Sequence, residues 1–322
     1  MRLPTIRSAL PLLASFILGI AITLIIKPQR SAPFFQEIRN PQKYQFINPL
    51  LECEQASTAD NNLNPLRDQV RKLIDTLTSD PQVNHISLYY RDLNNGPWFG
   101  INERENFSPA SLIKVPLMMA YYKQAESDPN ILSQTVINKP IPTQNQNIIP
   151  QETLIPNQQY SVDELINRMI IYSDNVAYDL LLENIDNRLL VQTFTDLGIN
   201  ISQGFTNPSG NILSVKDYAS FFRILYNSSY LNKTMSEKAL KLLNQVEFDK
   251  ALVAGLPSTI TISHKFGERE FLATGEKQLH DCGIIYLPDK PYLLCVMTRG
   301  KDLSLLANAI SQISSLIYRQ LL

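Results

Sequence analysis

The chain predicts an α/β protein of the α+β kind. It should have an antiparallel β-sheet with terminal helices packed on it and an all-helical subdomain beside it, behind an N-terminal transmembrane helix. Three observations carry this reading. Apolar residues alternate with a period of two near residues 85–100 and again between 259 and 298, but not between. The stretch from 109 to 246 has helical spacing and helix-capping signals instead. Residues 8–26 are 19 residues without a charge.

Taken in order, that uncharged run would rise about 28 Å as a helix, close to the hydrocarbon thickness of a bilayer. Arg2 and Arg7 precede it, and Lys27 and Arg30 follow. Lys27-Pro28-Gln29-Arg30 is a poor cleavage site, and no cysteine near residue 20 can take a lipid, so residues 1–30 read as an uncleaved anchor. The soluble part is then expected outside the cytoplasm, on the periplasmic or extracellular face. Residues 31–66 carry Pro33, Pro41, Pro49 and Pro65 and read as a tether that touches the domain around Pro49-Leu50-Leu51. Residues 67–322 form the domain itself.

Within it, Val70, Leu73, Ile74 and Leu77 stand at helical spacing over residues 66–77. Ile86, Leu88 and Tyr90 fall on one face of a strand over 85–93, and Asn94-Asn95-Gly96 turns the chain into Trp98-Phe99-Gly100. Ser161-Val162-Asp163-Glu164 is a capping box opening a helix through Met169. Strands are expected at 259–266, 283–287 and 292–298, the last two joined by Pro288-Asp289-Lys290-Pro291. A hairpin centred on that turn places Cys282 and Cys295 on one face but diagonal, which favours two buried free thiols over a disulfide. The C-terminal helix shows Leu303, Leu306, Ile310, Ile313 and Ile317 as its apolar stripe. The order of helix, two strands, helical insert, three strands and helix puts a catalytic pocket where the two halves meet.

Composition narrows the function. With 29 basic against 30 acidic residues, the net charge of −1 lacks the footprint of a nucleic-acid binder. Cys53, Cys282 and Cys295 share no C-x-x-C spacing, and no His-Glu-x-x-His occurs, so neither a metal nor another cofactor is expected. Three histidines and no Gly-x-Ser-x-Gly elbow speak against a Ser-His-Asp hydrolase.

Three short motifs can carry chemistry. In Ser111-Leu112-Ile113-Lys114 the hydroxyl and amine share one face at a helix start, and a desolvated lysine can act as the base a serine needs. Pro116 is expected to distort the helix just past this turn. Alone the motif reads equally as a cap followed by a solvated lysine. Ser173-Asp174-Asn175 opens a further helix; it is either a cap or a proton relay at Ser173 with an amide-binding Asn175. His264-Lys265-Phe266-Gly267-Glu268 ends a strand, with Lys265 alternating with Ser263 and Gly267. Lys265 is either an exposed edge lysine or a holder of a substrate carboxylate, and Gly267 lets a substrate lie against the strand. The backbone N–H groups of Ser111 and Glu268 would form an oxyanion hole.

In this order, the three motifs resemble the penicillin-recognising serine enzymes, class A β-lactamases and D,D-peptidases, over residues 66–322. The resemblance implies a β-lactamase/transpeptidase-like fold. It implies Ser111, Lys114 and Ser173 as catalytic residues, and Asn175, Lys265, Gly267 and Glu268 as substrate-binding ones. A β-lactam or cell-wall peptide would be the substrate. Two departures stand out. The family's deacylation glutamate has no counterpart, since no glutamate lies between Glu183 and Glu237 and the loop around 200–204 is short; Asp196 and Asp217, the nearest acids, read as helix-surface or capping residues. Phe266 stands where the family has Thr or Ser, a loss that Ser263 or Arg299 would have to make good. The expected outcome is acylation with slow deacylation. The alternatives are D,D-peptidase or esterase activity, and a catalytically weak, membrane-tethered binding module.

Overall fold

The computed structural model of the chain describes residues 34–39, 44–56, 63–94, 96–139, 153–197 and 210–322. The expected anchor (8–26) and the short loop at 200–204 lie outside them. Among the described residues no helix is long and apolar enough to cross a membrane. The chain divides into two compact units, one of residues 1–35 with 55–59 and one of 36–54 with 60–322. Strands Phe34–Arg39 and Leu50–Ala56 pair as a two-stranded sheet. All the elements that follow belong to the second unit.

Its centre is a five-stranded antiparallel sheet: β1 (Val83–Asp92), β2 (Trp98–Ile101), β3 (Ile262–Phe271), β4 (Glu276–Ile285) and β5 (Tyr292–Gly300), in the order β2-β1-β5-β4-β3. Strand β3 is therefore an edge. On one face lie helices α1 (Asn64–Leu77) and, at the C-terminus, Leu303–Leu321. Pro65 sits in the first turn of α1, where its missing N–H is harmless, and Asp302 caps the C-terminal helix through the Leu305 N–H. Val70 and Ile74 of α1 share a core with Ile86, Leu88 and Tyr90 of β1 and with Leu306, Ile310, Ile313 and Ile317. Both apolar periodicities of the sequence thus meet on this face.

The other face carries the helical half: α2 (Lys114–Ala125), α3 (Val162–Ile171), α4 (Asn175–Asn184), α5 (Asn187–Asp196), α6 (Val215–Asn227) and α7 (Lys233–Leu243). The C-terminal helix is then α8. Helix α2 is buried all round, with Val115, Leu117, Met118, Met119, Tyr121 and Tyr122 in the core. Such a helix is a rigid mount for whatever its first turn holds. Ser161 caps α3 by accepting from the Glu164 N–H at 3.2 Å, as its capping box requires.

Several expectations need correction. Strand β3 begins at Ile262 rather than 259 and runs to Phe271, and β4 begins at Glu276 rather than 283. The polar residues Glu268–Glu270 and Glu276–Gln278 concealed this longer hairpin, because backbone pairing does not need apolar side chains. The β4–β5 register starts at Ile285 opposite Tyr292, leaving a longer loop than the four-residue turn assumed. Cys282 and Cys295 consequently face each other directly and form a disulfide, instead of standing diagonal as free thiols. Pro116 does not distort α2. It lies in the first turn, preceded by a 3₁₀ turn (Ala110–Ile113), where no backbone donor is lost. The tether meets the domain over residues 45–49: Pro49 is buried as expected, and the Glu237 carboxylate also accepts from the N–H groups of Gln45, Phe46 and Ile47.

Gly300 sits at a β-bulge where a Cβ would overlap the Gln82 carbonyl oxygen. Gly300→Ala is expected to cost about 1–3 kcal/mol through overpacking. Thermal unfolding measures this, and an unchanged midpoint would contradict it.

Candidate active site

The 3₁₀ turn Ala110–Ile113 holds Ser111 one step before α2, and Lys114 is the first residue of α2. Positions i and i+3 eclipse in 3₁₀ geometry, so hydroxyl and amine stand on the same side. Ala110 takes a left-handed φ of 47° immediately before the serine. Such strain, of order 1–3 kcal/mol, persists only where the surroundings enforce it. The enforcement comes from the sheet. The Ser108 N–H donates to Gln278 Oε1 at 3.0 Å, and the Ser108 carbonyl accepts from His280 Nε2 at 3.0 Å. Burial lowers the His280 pKa to about 4, so the ring is neutral; its Nδ1 accepts from the Thr298 N–H, which fixes the tautomer.

Lys114 is only 2% exposed. Its amine donates to the Ser173 carbonyl at 2.6 Å, to Asn175 Oδ1 at 2.8 Å and to Ser173 Oγ at 3.2 Å. Burial lowers its pKa to about 7, against the upward pull of Asp174 and Asp179. Ser173 lies in the left-handed region at φ 57°, turning the chain between α3 and α4 so that its hydroxyl and carbonyl both face the amine. Asp174 caps α4 by accepting from the Val176 and Ala177 N–H groups. The triplet is thus both a cap and a polar cluster: the cap is Asp174, and its neighbours face Lys114.

Lys265 is fully buried on β3 and donates to Ser173 Oγ at 3.0 Å and to the Phe266 carbonyl at 3.1 Å. Burial first, and then the charge of Lys114, hold its amine well below the ordinary lysine range. Two amines therefore converge on one hydroxyl. Two residues along, a Cβ on Gly267 would stand 3.1 Å from the Ser111 nitrogen, so the strand backbone lies against the serine turn. The amide of Glu268 follows directly. Its side chain turns to the opposite face, where its register partner Leu279 lies in the α1/α8 core, and burial raises its pKa.

The structure thus brings together Ser111, Lys114, Ser173, Asn175, Lys265 and Gly267, with only the backbone of Glu268. It overturns the two proposed replacements for the missing hydroxyl at Phe266. Ser263 Oγ donates to the Leu240 carbonyl, and the Arg299 guanidinium is held by the Asn106 carbonyl and Glu105. Phe266 itself is core, stacked on Phe248 at 3.9 Å. Asp217 does read as expected: its carboxylate accepts from Ser214 Oγ in a capping pair at the start of α6.

Sequence reasoning missed three residues. Asp179 and the Tyr178 ring, 5.8 Å from the Lys114 amine, lie on α4 one turn after Asn175, and Arg269 lies two residues after Gly267 on the same strand. The helical and strand periods counted from the motifs would have found them. Among the described residues no group of His, Cys, Asp or Glu is arranged to hold a metal ion.

A family model described as the beta-lactamase enzyme family matches residues 65–321. The extended-spectrum beta-lactamase PER-1 of Pseudomonas aeruginosa is 25% identical over 236 residues, which cover 68% of this chain and 77% of that protein. Among solved structures, PBP-A superposes with a TM-score of 0.66 at 24% identity, covering 80% of this chain and 96% of its own. A beta-lactamase from Chitinophaga pinensis does so with 0.69 at 20%, covering 80% and 100%. The extended-spectrum beta-lactamase TLA-1 gives 0.68 at 17%, covering 79% and 98%. These structures share the fold of the chain.

Proposed function

Because the chain belongs to the beta-lactamase enzyme family, we propose that it opens β-lactam rings through an acyl-enzyme on Ser111 and releases the product slowly. It is a serine β-lactamase-like hydrolase. The observation that carries the finer reading is the buried Lys114 amine, one 3₁₀ turn from Ser111 and bonded to Ser173 and Asn175.

A lysine with a pKa near 7 is substantially neutral at neutral pH and can take the Ser111 proton. The freed Oγ attacks the ring carbonyl carbon, whose π pair moves onto oxygen. The N–H groups of Ser111 and Glu268 hold that oxyanion. Collapse breaks the C–N bond, and Ser173 delivers a proton to the departing nitrogen, recovering one from the amines beside it. Lys265 attracts the substrate carboxylate, and Asn175 binds the acyl-amide. No atom leaves, so the adduct carries the whole mass of the β-lactam. A PBP-A variant has been captured as an acyl-enzyme with penicillin G, the same kind of adduct.

Hydrolysis of that ester requires an activated water. The chain offers no glutamate between Glu183 and Glu237, and Asp217 is committed to its cap. A missing general base costs ~10²–10⁴-fold. Incubation with a fluorescent penicillin is expected to label the protein for hours on a denaturing gel; loss of label within seconds would contradict slow deacylation. The same missing glutamate favours a second reading, D,D-peptidase-like or ester cleavage of cell-wall substrates, in which turnover of a β-lactam is never needed. The domain is proposed to act outside the cytoplasm behind the anchor at residues 1–30, a location that suits a disulfide at Cys282 and Cys295.

A further inference from the structure

We propose that Arg269 selects substrates whose acyl side carries a negative charge. The inference rests on the acyl-enzyme reading and adds a substrate class to it. Alternate residues of a strand project to one face, so Lys265, Gly267 and Arg269 form a row along β3 with about 7 Å between neighbours. Gly267 marks the reacting centre, because its backbone lies against the Ser111 nitrogen. Lys265 marks the leaving-group side, because it shares Ser173 Oγ with Lys114. Arg269 therefore stands on the opposite, acyl side.

Its guanidinium is part-buried, 3.4 Å from Ser108 Oγ and 5.0 Å over the Phe271 ring. No carboxylate lies within ion-pair distance of it among the described residues. The neighbouring Glu268 and Glu270 turn to the other face of the strand, and Glu270 pairs with Lys277 at 3.7 Å. The residue opposite in register is the neutral Gln278, whose amide donates to Glu276 Oε1 at 2.9 Å and so engages the one acid on this face of the hairpin. A partly desolvated guanidinium that makes no ion pair within the fold is stabilised by an added anion, and its planar fork suits a carboxylate.

Benzylpenicillin and carbenicillin form a matched pair, since the second adds one carboxylate to the acyl side chain. The test compares their second-order acylation rates by intact mass in the wild-type chain, in Arg269→Gln and in Arg269→Lys. The carbenicillin-to-benzylpenicillin ratio is expected to fall about tenfold in Arg269→Gln, the worth of one charge-assisted hydrogen bond. Arg269→Lys should retain part of it, and high salt should shrink the wild-type ratio. A ratio unchanged within twofold in Arg269→Gln would overturn the proposal while leaving the acyl-enzyme intact. Absence of any adduct with either compound in the wild type would overturn both.

Discussion

Ser111→Ala is expected to abolish covalent labelling by every β-lactam that labels the wild type. The hydroxyl is the only atom at the start of α2 that can form the ester, and the amine three residues on cannot replace it while held by Ser173 and Asn175. The fold should not suffer. Ser111 is not buried, and removing one partly exposed hydroxyl is ordinarily worth within ±0.5 kcal/mol. A thermal midpoint matching the wild type, with no mass increment after prolonged exposure, is the expected pair of results. Residual labelling of Ser111→Ala at the wild-type rate would place the nucleophile elsewhere.

Lys114→Ala carries the second large effect, a loss of ~10²–10⁴ in acylation rate. Lys114→Arg should not rescue it, because a guanidinium stays charged and cannot accept the proton. The wild-type pH profile follows from the same group. Only the neutral amine is a base, so acylation should rise as pH increases through about 7 and level off above it. Both Lys114 variants should lose that limb. Stopped-flow acylation between pH 5 and 9 measures this, and a wild-type rate independent of pH would contradict it.

Much of this site was legible in the sequence because its parts are short and local. Ser111 and Lys114 are separated by a single turn, and Lys265 and Gly267 by one strand alternation, so spacing alone set their relation. Which halves came together followed from element order. What the sequence hid depends on tertiary register. The facing of Cys282 and Cys295 required knowing that β4 and β5 separate at Ile285 and Tyr292, two residues from the position the prolines suggested. The fate of Phe266 required seeing Phe248 beneath it. The clamp of Gln278 and His280 on Ser108 spans about 170 residues of chain, and the pattern around either histidine or glutamine gives no hint of it. The site is also where local rules are broken: Ala110 and Ser173 adopt left-handed backbone that neither residue prefers, and both border the converging amines.

Activation of Ser111 depends on an amine that gives up its proton near neutrality inside the crevice. Selective ¹³Cε labelling of lysine, followed by NMR titration of the chain, observes that amine directly, and loss of one resonance in Lys114→Arg assigns it. The expected result is a Lys114 signal that titrates with a midpoint near 7, far from the ordinary lysine range. A Lys114 signal that titrates near 10, like a solvated lysine, would contradict the claim that this amine activates Ser111.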